Sequence, residues 1–210
     1  MIILVRHAAP LVDGERPPSE WSLGREGRTE TERMCARLVR EIGTRPNVVS
    51  SPEPKARQTV APIGVSEVDA CFAEATIAAS DLPLYRRQKR REYVEGTEHD
   101  GWESHHDVVA RFERGFQRHK HLADERPLVI ASHGMAMTLW LRERYGIDKP
   151  GDFWQELRFP DAFRLDEDDF SRLFQDALNV AQVPIAPELS RTTHKWRHDR
   201  IAMPQALSKA

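Results

Sequence analysis

Three segments of the chain end an apolar run on a polar or cationic group. They are Leu4-Val5-Arg6-His7-Ala8, Val49-Ser50-Ser51-Pro52 leading into Lys55-Ala56-Arg57-Gln58-Thr59, and Val129-Ile130-Ala131-Ser132-His133-Gly134. Two histidines and two arginines in such settings suit a phosphoryl group. Arginine carries a permanent charge on a planar fork that matches phosphate oxygens, so Arg6 and Arg57 are expected to clamp them. A neutral imidazole is a competent nucleophile near neutral pH, which fits His7 for attack on phosphorus and for carrying the phosphoryl group. His133 would be a second donor to the oxygens, stabilising the spread charge of a loose transition state. These side chains already supply the neutralisation, so neither a metal nor a cofactor is expected.

Distant residues meet only if the fold brings them together, and the apolar pattern indicates how. Ile2 to Val5 and Pro127 to Ala131 are continuous β-branched and Leu-rich runs, as expected for strands buried on both faces of a parallel sheet. Asn47-Val48-Val49 reads as a third strand and Val65 to Phe72 as a weaker fourth. Between them, Met34, Cys35, Leu38, Val39 and Ile42 recur at helical spacing after a cap at Ser22, with Gly43 as a stop. Lys55 to Ile63 predicts a short helix limited by Pro62. Ser104 with Asp107 resembles a capping box before Val108, Val109, Phe112 and Phe116. Gly134 to Tyr145 predicts a helix ended by Gly146. Strands alternating with helices imply parallel pairing and right-handed crossovers. In such sheets ligands sit beyond the carboxyl ends of the strands. Helix N-termini, among them Gly134, would turn their amides to the same space. Further on, Leu157 to Leu165 reads as an edge strand because of Pro160, and Phe170 to Leu178 as a short amphipathic helix.

The three segments, in this order and in strand context, resemble the histidine phosphatase superfamily of phosphoglycerate-mutase-like proteins. The resemblance spans about residues 1–145, and Leu23-Gly24-Arg25-Glu26-Gly27 is similar to that family's first helix. It implies a three-layer α/β/α sandwich, a mostly parallel sheet with helices on both faces. It also implies a phosphohistidine intermediate, with His7 as nucleophile, Arg6 and Arg57 as phosphate ligands and His133 as the second histidine. The family's proton-donating carboxylate, which then acts as base toward water, matches Glu74, with Asp81 and Glu103 as alternatives. The sequence departs from the family pattern at Ala8, where glycine is commoner. It departs again at Ala75-Thr76-Ile77, where a Gly and a Trp-Glu-Gly segment often follow, and in the loop from Ala9 to Trp21, which lacks the Asn of the mutases. The departures after Glu74 and in this loop favour a phosphatase over a mutase, while those around Glu74 leave a phospho-ligand binding protein with a degenerate site as a further alternative.

Composition is consistent with this reading. The 210 residues are 40% hydrophobic and 30% charged, with 31 basic against 33 acidic side chains. That suits one α/β domain, expected over residues 1–169 with 73–101 as an excursion over the site, and 170–210 as a helical or irregular extension. A net charge of −2 gives no pull toward nucleic acid. No apolar run approaches the ~20 residues of a membrane helix, and the first residues lack the pattern of a secretory signal. Two cysteines cannot frame disulfides, which points to the cytoplasm. The expected partner is a phosphorylated small molecule, with a phosphoprotein as the alternative. The group His99, Asp100, Glu103, His105, His106 has no metal-ligand spacing and reads as a polar loop and cap. Arg86 to Arg91 reads as a solvated face or the rim of an anion site.

Overall fold

In the computed structural model, which describes residues 1–78 and 87–174, six strands form one mixed sheet. The strands are β1 (Ile2–Arg6), β2 (Asn47–Ser50), β3 (Glu67–Val68), β4 (Leu128–Ser132), β5 (Asp161–Leu165) and β6 (Phe170–Arg172), in the spatial order β3-β2-β4-β1-β5-β6. Pairing is parallel from β3 through β1 and antiparallel for β1–β5 and β5–β6. Six α-helices accompany them among the described residues: α1 (Arg25–Ile42), α2 (Pro54–Val60), α3 (Arg87–Glu95), α4 (His105–His119), α5 (Gly134–Tyr145) and α6 (Pro150–Glu156).

Alternation along the strands divides the core into two layers, because successive side chains point to opposite faces. Ile3, Val5, Val129 and Ala131 pack with Met34, Cys35 and Leu38 of α1 and with Ala56 and Val60 of α2. Leu4, Leu128 and Ile130 face the other way, onto Phe112 and Phe116 of α4, Trp140 of α5 and Trp154 of α6. This is the α/β/α sandwich expected from the sequence, with both strand faces covered.

Several elements differ from the sequence pattern. Helix α1 begins after Gly24 rather than at Ser22. The segment 65–72 keeps only a two-residue strand before a 3₁₀ turn, Ala70–Phe72, capped by Asp69. Phe170–Arg172 is a strand rather than the start of a helix; paired to β5, it occupies the sheet edge. Strand β5 is therefore interior, and Pro160 lies just before its first residue, where no ladder bond is lost. The stretch 73–101, expected as an excursion, contains α3 at its described residues 87–95, and the six charged residues of that helix mask its period. Ser104 caps α4 as expected, accepting from the Asp107 amide. The expected segments 175–210 and Asp81 lie outside the described residues. Among the described residues no helix is long and apolar enough to cross a membrane.

Candidate active site

The order β2-β4-β1 puts three parallel strands side by side, so their carboxyl ends deliver Ser51 to Lys55, His133 and His7 to one edge of the sheet. Antiparallel β5 begins at that same edge, since Asp161 pairs in register with Arg6, and brings the Leu157–Pro160 loop with it. Residues far apart in sequence converge because of this strand order alone.

The His7 and His133 rings lie 5.0 Å apart. His7 donates from Nδ1 to the Ala8 carbonyl at 2.8 Å. A carbonyl only accepts, so this bond puts the ring proton on Nδ1 and leaves the Nε2 lone pair for chemistry. The strand end is held by Thr59, which accepts from the Ala8 amide at 2.8 Å and donates to the Lys55 carbonyl. Burial, with Lys55 and Arg6 nearby, holds His7 well below the usual imidazole value, so the ring is neutral at neutral pH.

His133 is fully buried and precedes the first turn of α5. Its Nε2 lies 2.7 Å from Ser51 Oγ and 3.3 Å from Glu53 Oε1, while its Nδ1 is buried without a partner among the described residues. Burial, then His7, Lys55, Arg111 and Arg6, depress its pKa too. Arg6 donates from Nη1 to the Leu157 carbonyl at 2.7 Å, and the Phe159 ring covers its guanidinium face at 3.6 Å. Phe159 also packs on the His7 ring at 5.3 Å. Arg6 Nε is a second buried nitrogen without a partner among the described residues. Burial pulls Arg6 down to about 10, which keeps it cationic at neutral pH. Gly134 allows this close approach: a Cβ there would lie 3.2 Å from Arg6 Nε.

Glu74 accepts from the amides of Met135 at 3.2 Å and Ala136 at 2.9 Å, capping α5 beside His133. Two amides expected from the sequence to be free for an anion are thus taken by this carboxylate. The Glu74 loop is pinned by Arg111 of α4, which donates to the carbonyls of Cys71, Ala73 and Glu74. Glu103, an alternative acid, is bound by Arg111 at 2.6 Å and 3.1 Å and by the Thr76 amide. Its place is in the support of this loop.

Arg57 is not brought into this cluster. It is exposed on the outer side of α2, beside Pro54, Gln58 and Ala61. Lys55 is the buried cation of that helix. Residues two apart on a helix differ by about 200°, so both cannot face the histidines. Ala56 and Val60 turn inward with Lys55 and Thr59, and their spacing is the signal that Arg57 points away. Lys55 Nζ donates to the Pro18 carbonyl and to Glu53 Oε2. Arg87 and Arg90 of α3 lie near enough for their charges to act on Arg6, and Arg90 also on Glu74, whereas Arg91 pairs with Glu95 and Asp152. The polar residues at 99–106 are dispersed: His99 meets the Lys89 carbonyl, His105 meets Glu98, and no metal-ligating cluster occurs among the described residues.

A profile of the histidine phosphatase superfamily (branch 1) matches residues 2–162. No curated protein is similar enough in sequence to match the chain. Among solved structures, a mycobacterial glucosyl-3-phosphoglycerate phosphatase is 20% identical with a TM-score of 0.59, over 77% of this chain and 87% of that one. YhfR of Bacillus stearothermophilus is 16% identical with a TM-score of 0.61, over 83% and 95%. A protein of Thermus thermophilus is 22% identical with a TM-score of 0.57, over 83% and 99%. At these identities the likeness shows a shared fold.

Proposed function

The chain belongs to branch 1 of the histidine phosphatase superfamily and is an enzyme of that phosphatase type; we propose that it hydrolyses a phosphomonoester, without a metal, through a phosphohistidine at His7. One observation carries this reading. His7 has its Nδ1 fixed on a carbonyl, and beside it stand two buried nitrogens, Arg6 Nε and His133 Nδ1, that no group of the described residues satisfies. Unpaired buried nitrogens are costly unless an incoming group completes them. A tetrahedral oxyanion is such a group.

In the proposed reaction His7 Nε2 attacks phosphorus and the ester P–O bond breaks. Arg6, Lys55 and His133 hold the equatorial oxygens, where charge spreads in the transition state. Glu74 gives its proton to the departing oxygen. It then takes one from water, which attacks phosphorus as the N–P bond breaks, restoring His7 and releasing phosphate. Arg57 has no part in this scheme, and Lys55 takes the place expected for it from the sequence. The depth of the histidines under Phe159 favours a phosphorylated small molecule over a phosphoprotein as substrate. The fold neighbour, a glucosyl-3-phosphoglycerate phosphatase, supports the same class.

Release of phosphate from p-nitrophenyl phosphate in the presence of a chelator tests the proposal. Wild type is expected to turn over and His7→Ala, folded, to be inactive. Turnover by His7→Ala at the wild-type rate would overturn it. With a phosphorylated acid and a bisphosphate primer, free phosphate rather than an isomer is expected.

A further inference from the structure

Glu53 is a second acid of this pocket, buried beside His133 and Lys55, and the proposed reaction does not use it. It stands at the N-cap of α2, where a carboxylate ordinarily accepts from its own helix, yet its side chain makes no cap bond. It turns inward instead. Oε2 accepts from Lys55 Nζ, and Oε1 accepts from the Glu74 amide at 2.8 Å while lying 3.3 Å from His133 Nε2. One carboxylate thereby touches the cation of α2, the loop of the proposed acid and the second histidine.

The consequence lies in the charge that His133 can carry. It is faced by His7 and Arg6 from the end of β1, by Lys55 from α2 and by Arg111 from α4, all of which oppose a positive charge on it. Glu53 is the one carboxylate within ion-pair distance of the ring among the described residues. A neutral His133 can donate from one nitrogen only, whereas the imidazolium donates from both. With Nε2 toward Ser51 and Glu53, a proton on Nδ1 makes the cation, paired to Glu53 on one side and to an oxyanion on the other.

We propose that Glu53 is a positioning residue that lets His133 take up a proton when an oxyanion binds, through its contact with Nε2. The inference rests on the phosphatase reading for its ligand class, but its test does not require turnover. Tungstate, which does not titrate near neutral pH, is bound calorimetrically at about pH 7.5 in buffers of different ionisation enthalpy. Wild type is expected to take up protons on binding. Glu53→Gln, which keeps an oxygen for the Glu74 amide, is expected to bind with that uptake lost. The same loss is expected in a Lys55→Met background; disappearance of the Glu53 effect there would mean that Glu53 serves Lys55 alone and would overturn the proposal. In turnover, kcat/KM of wild type is expected to rise as pH falls from about 8 to about 6, and the Gln variant to lose that slope. If Glu53→Gln does not fold, wild type decides by itself: tungstate binding without proton uptake refutes the role. Proton-linked binding with no hydrolysis of any ester would instead overturn the phosphatase reading and leave this one standing.

Discussion

The rings of His7 and His133 face each other at 5.0 Å with their planes inclined by 55°. Both are depressed well below 6.5, chiefly by burial. In the free protein this has a thermodynamic sign. The unfolded chain binds protons at these histidines below about 6.5 while the folded protein does not. Their contribution to stability is therefore fully present above that value and lost as pH falls beneath it. Urea midpoints at about pH 7.5 and about pH 5.5 should show the loss. His133→Gln should show less of it than wild type, a comparison that cancels the opposite effect of Glu53, whose burial raises its pKa. Equal losses in the two proteins would contradict the assignment of a neutral, buried His133.

Lys55 and Arg57 lie two positions apart on α2, one buried and one exposed. Lys55→Met should lower kcat/KM for an aryl phosphate by about 10²-fold, as expected for loss of a preorganised cation at the anion. Arg57→Ala should stay within about twofold, the usual result of changing an exposed residue away from the chemistry. The reverse outcome in steady-state kinetics would restore the sequence-based assignment.

That pair shows how far the sequence is readable. Apolar runs before Arg6, before Ser51 and before His133 mark three strands and the edge at which they end, because buried parallel strands have a strong signature. The residues drawn from those ends, Arg6, His7 and His133, converge in space. Arg57 has the chemistry expected of a phosphate ligand, but the buried spacing of Ala56, Thr59 and Val60 excludes its side of the helix. Glu53 and Phe159 carry no local signal. The burial of Glu53 against His133 and the stacking of Phe159 on Arg6 arise from β2 beside β4 and β5 beside β1, and strand order is a tertiary property. Helix α3 is hidden for a different reason, since its charged residues leave only Tyr93 and Val94 to mark a buried face.

Glu74 is expected to matter in proportion to how badly the leaving group needs a proton. Glu74→Gln preserves an acceptor for the α5 amides but cannot donate a carboxyl proton. Its kcat/KM, which reports transfer of the phosphoryl group to His7, should fall by about 10²-fold or more with phenyl phosphate and far less with p-nitrophenyl phosphate. Equal losses on both esters would assign Glu74 a capping role alone, through Met135 and Ala136.

Gly27 of α1 meets the loop that leaves His7: a Cβ there would lie 2.1 Å from the Ala9 carbonyl oxygen. Gly27→Ala should destabilise the protein by about 1–3 kcal/mol, as overpacking against backbone does. Denaturant melts should show the lowered midpoint, and an unchanged midpoint would contradict the packing described for this turn.

The chemistry at His7 is tested most directly by trapping the phosphoryl group. Quenching a turnover mixture into base, with a substrate labelled in its phosphate, should leave label on the protein. That label should survive base, be released by acid and map to His7, as a phosphoramidate does and a serine or aspartyl phosphate does not. It should be absent from His7→Ala and accumulate in Glu74→Gln, where water attack lacks its base. Wild-type turnover with no such label, or label mapped to another residue, would contradict the account.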